Sequence, residues 1–230
     1  MQIELEARPS YGMAVVHLDK GEQFVAEAGA MVAMSPSMSA DPRFNGTGGA
    51  GFMGKLKAAL AGLARKFLAG ESMFVNHFEA TADGQTVMLA PALVGDVVHE
   101  SLGGRTITVQ ASSYLASTPD VEVALVWGGF SMLISGEGAF FLKCSGSGDL
   151  LINAYGAIEK MEVDGSYIVD TGHVVAFEGD LTYTVRKAGG WKSAMLSGEG
   201  LVQEFTGTGT LWLQTRNLGG LVGWLRPLLS

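Results

Sequence analysis

The sequence predicts an all-β fold, three tandem repeats of β-sandwich or double-stranded β-helix type with one amphipathic helix inserted in the first. Three observations carry that expectation. Short runs alternate apolar and polar residues with period two, as strands with one buried face do. The 33 glycines, against 6 prolines, follow no collagen-like period and mostly end those runs, as tight turns require. Finally, two motifs recur in the same order along the chain, the mark of a repeat architecture.

In chain order, IELEAR and MAVVHL alternate as two strands around the turn Pro9-Ser10-Tyr11-Gly12. The first motif follows as GEQFVAEAGAMVAMS and returns without a gap as DGSYIVDTGHVVAFE. Gln23 to Gly29 thus matches Ser166 to Gly172, and Ala33 falls on Ala176. A weaker middle copy, GGRTITVQASSYLAS, ends in step, with Tyr114-Leu115-Ala116 against Val174-Val175-Ala176. Each copy is followed by a Gly-Glu pair opening an apolar run: Gly70-Glu71, Gly136-Glu137 and Gly198-Glu199, at spacings of 66 and 62 residues. The implied organisation is a single compact unit, with repeat 1 over 1–95, repeat 2 over 96–157, repeat 3 over 158–217 and an apolar tail over 218–230. No unit of this size closes a core alone, so the three are expected to share apolar faces. Within the Gly-Glu runs, read as half-buried hairpins, Ser145-Gly146-Ser147-Gly148-Asp149 and Thr206-Gly207-Thr208-Gly209-Thr210 supply the glycines that hairpin loops and bulges need for positive φ.

Repeat 1 differs by a helical insert over 43–69. Leu56, Leu60, Leu63 and Phe67 recur on one helical face, and Lys55, Lys57, Arg65 and Lys66 decorate the helix. Three readings compete for it: a cap on an open end of the β stack, an interface with another subunit, or a peripheral membrane contact through its cations. Two nucleotide-binding strings in the glycine-rich part fail on context. Gly46-x-Gly48-x-x-Gly51 follows no buried strand. Gly49 to Lys55 spells G-x-x-x-x-G-K but places Leu56 where Mg²⁺ chemistry needs a hydroxyl.

Composition narrows function further. A formal net charge of −8 disfavours nucleic acid as a partner. Cys144 is the lone cysteine and reads as a small buried hydrophobe, consistent with a reducing cytoplasm. The acidic N-terminal stretch does not resemble a secretory signal. His17, His77, His99 and His173 show no metal-ligand spacing, no Gly-x-Ser-x-Gly elbow occurs, and no catalytic, metal or cofactor-binding residue is predicted. Glu71, Glu137 and Glu199 could converge on a cation, but a glutamate just after glycine more often accepts backbone N–H bonds in a turn. They read as turn anchors.

The succession of a basic helix ending in GES-x-F, then SGEGAFFL, DTGHVVAFE and GEG-x-x-x-x-F-x-G-x-G-x-x-x-x-Q, resembles the altered-inheritance-of-mitochondria protein 24 family, in its bacterial and archaeal branch. The resemblance implies repeats with a fold similar to the tryptophan RNA-binding attenuator protein, homo-oligomers with trimers favoured, and no established enzymatic activity; no cofactor is expected. The expected function is therefore a non-enzymatic oligomeric scaffold or membrane-associated assembly factor. Its apolar tail is expected to be buried between subunits through Leu221, Trp224 and Leu228. The alternative is a small-molecule-binding or enzymatic β-helix protein with a pocket between repeats, lined by His173, Glu178 or His77.

Overall fold

A computed structural model describes residues 1–44, 74–127, 140–187 and 201–229. As period-two alternation requires, nearly every regular element in these stretches is a strand. The first sheet has the order β1-β2-β7-β4, with β1 (Gln2–Glu6), β2 (Met13–Leu18), β7 (Gln85–Leu89) and β4 (Met31–Met34). The second runs β5-β6-β3-β10-β13-β8, from β5 (Met38–Phe44), β6 (Phe74–Ala80), β3 (Gln23–Glu27), β10 (Tyr114–Ser117), β13 (Asp149–Asn153) and β8 (Val97–Ser101). The third runs β11-β12-β9-β15-β17-β14, from β11 (Val121–Trp127), β12 (Phe140–Gly146), β9 (Thr106–Gln110), β15 (Val174–Gly179), β17 (Leu201–Gln214) and β14 (Ile158–Asp170). All strand pairs within the sheets are antiparallel.

The third sheet is really two surfaces joined by one long ribbon. β14 and β17 pair along their whole lengths, from Ile158 opposite Gln214 to Asp170 opposite Val202. On its other side β17 changes partner midway: residues 209–213 pair with β15, and residues 201–206 pair with β16 (Thr182–Lys187). The result is a three-stranded wing of β16, the first half of β17 and the second half of β14.

Three apolar clusters lie between these layers. The first joins Val16, Leu18, Val87 and Leu89 to Phe24, Phe78 and Leu115, the second joins Tyr114, Leu150 and Ile152 to Ile107, Val109, Cys144 and Trp212, and the third joins Phe141, Val174 and Leu211 to Val169, Leu181 and Phe205. In the third cluster the rings of Phe141, Phe177, Tyr183 and Phe205 meet at centroid distances of 5.4–5.8 Å, the spacing of favourable edge and tilted contacts.

Two expectations need correction. The runs after the Gly-Glu pairs read as half-buried strands, and along the last of them Leu211 and Trp212 do face opposite ways, Leu211 into the third cluster and Trp212 into the second, but both are buried because a core lies on each side of the strand. Residues 206–210 are not a hairpin loop but the middle of β17, and β12 and β13 do not pair with each other. The chain at residues 145–149 crosses from the third sheet to the second. The glycines there serve close approach: a Cβ on Gly146 (φ +126°) would lie 2.2 Å from the Asp120 carbonyl oxygen, and one on Gly207 (φ +127°) 2.3 Å from that of Asp180.

Candidate functional site

After β17 the chain turns into α1 (Leu218–Leu225), closed by a 3₁₀ turn over Arg226–Leu228. A polar network fixes where it starts. The side-chain oxygen of Asn217 accepts the backbone N–H of Gly220, capping the helix, and its amide nitrogen donates to His173 Nε2 at 2.8 Å. That bond places the histidine proton on Nδ1, which donates to the Gln214 carbonyl at 2.6 Å. Gln214 completes the base, donating to the Gly172 carbonyl at 2.8 Å and accepting the Tyr155 N–H at 2.9 Å. Among the described residues, the helix is thus anchored at its polar end.

Beyond the cap, α1 buries none of its residues. Leu218, Val222, Trp224, Leu228 and Leu229 are all exposed, Trp224 at 66%. Of the residues expected to form a subunit interface, Leu221 is half-buried, whereas Trp224 and Leu228 are open to solvent in the single chain. A cleft of about 520 Å³ opens beside the helix, lined by Tyr155, His173, Arg216, Asn217, Gly220, Leu221 and Trp224.

The chemistry of this cleft is limited by the bonds already made. Both ring nitrogens of His173 are occupied, so it offers neither a free lone pair for a metal nor a free base. Glu178, on β15, is instead held by Arg105, whose Nη1 donates to both its carboxylate oxygens at 2.8 and 2.9 Å. His77 sits on β6, where burial and the charge of Arg43 lower its pKa. Of the three residues named for a pocket between repeats, only His173 lines the cleft. Cys144 is buried, and desolvation pushes its thiol up to about 12, away from nucleophile chemistry. Among the described residues, no cluster of three or more His, Cys, Asp or Glu could hold a metal ion, and no helix is long and apolar enough to cross a membrane.

Sequence reading missed the charged joints between sheets. Arg8 donates from Nε and Nη2 to the buried Asp96 at 2.7 and 2.9 Å. Glu100 accepts from Trp212 Nε1 at 3.1 Å and from Lys160 at 3.2 Å, with Lys160 lying 4.7 Å from the Trp212 ring centroid. These partners are 60 or more residues apart, and no local spacing announces them. The predicted turn anchors Gly70, Glu71, Gly136, Glu137, Gly198 and Glu199 lie outside the described residues, as do the insert residues Lys55, Leu56, Lys57, Leu60, Leu63, Arg65, Lys66 and Phe67.

Residues 3–216, which take in the described strands from Ile3 to Gln214 and stop just before α1, match the family described as mitochondrial biogenesis AIM24. The chain belongs to the AIM24 family. An uncharacterized protein of Streptococcus pyogenes serotype M6 is 28% identical to it over 232 aligned positions, covering 100% of this chain and 91% of the relative. A crystal structure of a Streptococcus pyogenes protein superposes with a TM-score of 0.77 at 25% identity, covering 99% of each chain. The AIM24 fold described here is therefore shared across nearly its full length with a solved bacterial protein.

Proposed function

We propose that this AIM24 protein is a non-enzymatic cytoplasmic scaffold, built of three tandem attenuator-like β units, that assembles with copies of itself and uses α1 as an apolar contact surface. The observation that carries the reading is the helix. It is held firmly at Asn217 and His173, yet it presents Leu218, Val222 and Trp224 to solvent, and the turn after it presents Leu228. An ordered, anchored apolar surface of this kind suits a partner, since each exposed large side chain gains roughly 1.5–3 kcal/mol when covered. Support for the three-unit reading comes from the pairing pattern. A register shift falls between Met31 and Ala33, between Tyr114 and Ala116, and between Val174 and Ala176, in strands that the sequence motif aligns.

The test compares the full chain with a chain ending at Arg216, by light scattering and by flotation with anionic vesicles. The expected result is a homo-oligomer, three copies being the favoured number, that loses mass on truncation. Tail-dependent flotation would instead assign the helix to a membrane surface. Equal mass for both chains with no flotation would overturn the role of α1.

A second reading rests on the cleft beside Trp224, whose volume falls in the range of small-molecule sites. With His173 already bonded, it would be a binding site rather than a catalytic one.

A further inference from the structure

Two sheet edges are built like interior contacts but carry no neighbour among the described strands. β10 lies between β13 and β3, and β15 lies between β17 and β9. β4 has the same construction against β7, including the register shift, but no described strand pairs with its outer side. Likewise β3 is covered by β10 and β9 by β15, whereas among the described strands the second half of β14 pairs with β17 alone. The side chains follow suit. Leu115 and Val175 are fully buried, while the residue aligned with them, Val32, is 57% exposed. Phe24 and Ile107 are fully buried, while the aligned Tyr167 is 47% exposed and its neighbour Ile168 is 51% exposed.

We propose that the outer edge of β4 pairs antiparallel with the second half of β14 from another copy of this chain. The inference rests on the three-unit reading above. Register follows from the two contacts already present: Ala116 faces Ala26 and Ser117 faces Val25, while Ala176 faces Val109 and Phe177 faces Thr108. The same offset puts Ala33 opposite Val169, Met34 opposite Ile168 and Ser35 opposite Tyr167 of the second copy. The joined sheet has the order β16-β17-β14-β4-β7-β2-β1, in which the first six places reproduce the kind of pairing seen in β5-β6-β3-β10-β13-β8. The two edges do not pair within one chain: β4 belongs to the first sheet and β14 to the third, and the first and third sheets each share an apolar cluster with the second. The contact is head-to-tail, so repeating it closes a ring or runs on as a filament. It also removes exposed, apolar strand edges that otherwise invite aggregation.

A cysteine pair tests the register. Directly opposed residues of antiparallel strands stand about 4.5–5.5 Å apart, within disulfide reach. The double variant M34C/I168C should form covalent multimers on mild oxidation, seen on a non-reducing gel, while either single variant should not; the buried Cys144 does not compete. In parallel, M34K in the full chain should fall to single-chain mass by light scattering while keeping its far-ultraviolet β spectrum. Absence of multimers in the double variant overturns the proposal, as does dimerisation of M34C alone, which would mean β4 pairing with itself. An unchanged mass for M34K also overturns it. The cross-link is read independently of α1, so its failure is distinguishable from failure of the helix as a contact surface.

Discussion

Arg105 and Glu178, 73 residues apart, hold each other by two hydrogen bonds of 2.8 and 2.9 Å, and the same guanidinium donates to the Ser101 carbonyl at 2.7 Å. Through this one side chain the second sheet, where β8 ends at Ser101, is tied to β15 in the third. Because Arg105 is partly exposed, water screens the pair, and Arg105→Ala is expected to cost about 1–2 kcal/mol. Arg105→Lys should recover only part of that, since an ammonium cannot reproduce the guanidinium fork. Urea denaturation of the two variants checks both statements.

Glu27 makes stability depend on pH in an unusual direction. Burial at the end of β3 raises its carboxyl to about 7 in the folded protein, against 4.5 for the free group. The folded state therefore binds the proton more tightly. Its contribution is fully present below 4.5 and is lost as pH rises toward and through 7. Glu27→Gln should flatten this slope and raise stability at pH 8 by roughly 2–3 kcal/mol. Melting temperatures of both proteins across pH 4–8 measure it, and parallel curves would refute the assignment.

Gly207 and Gly165 share a positive φ but not a neighbourhood. A Cβ on Gly207 would meet the Asp180 carbonyl oxygen at 2.3 Å, whereas one on Gly165 meets nothing within 4 Å. Gly165→Ala is expected to cost about 1 kcal/mol from backbone strain alone, and Gly207→Ala at least about 2–3 kcal/mol because the ribbon must also shift. Equal losses for the two in chemical denaturation would contradict the close approach.

Asn217 holds α1 without touching any of the three cores. Asn217→Ala removes the cap and the bond to His173, and about 1 kcal/mol of local stability with them. Amide exchange over Leu218–Leu225 should accelerate several-fold. The sheets should keep their protection and the melting temperature of the body should barely move.

The strands were legible because their side chains alternate and their turns need glycine, and the aligned motifs around Ala33, Ala116 and Ala176 pointed to strands of one construction. The sheet assignment was not legible. Sequence alternation assumes one wet face, and Leu211 and Trp212 have none, because cores press on both sides of β17. Glycines at 207 and 209 looked like a loop because the same residue type serves both a turn and the passage of one backbone over another. At the candidate site, the apolar tail could be read directly, but His173 reaches Asn217 across 44 residues, a contact that only the folded ribbon creates.

β17 spends its first half in the aromatic cluster of Phe205 and its second half beside Trp212, so a single strand is stitched into two neighbouring cores. Neither core can melt while that strand stays in place, and neither survives once it leaves. Heating should therefore unfold the second and third layers in one transition rather than in steps, and a protease that cuts within residues 201–214 should release no stable fragment.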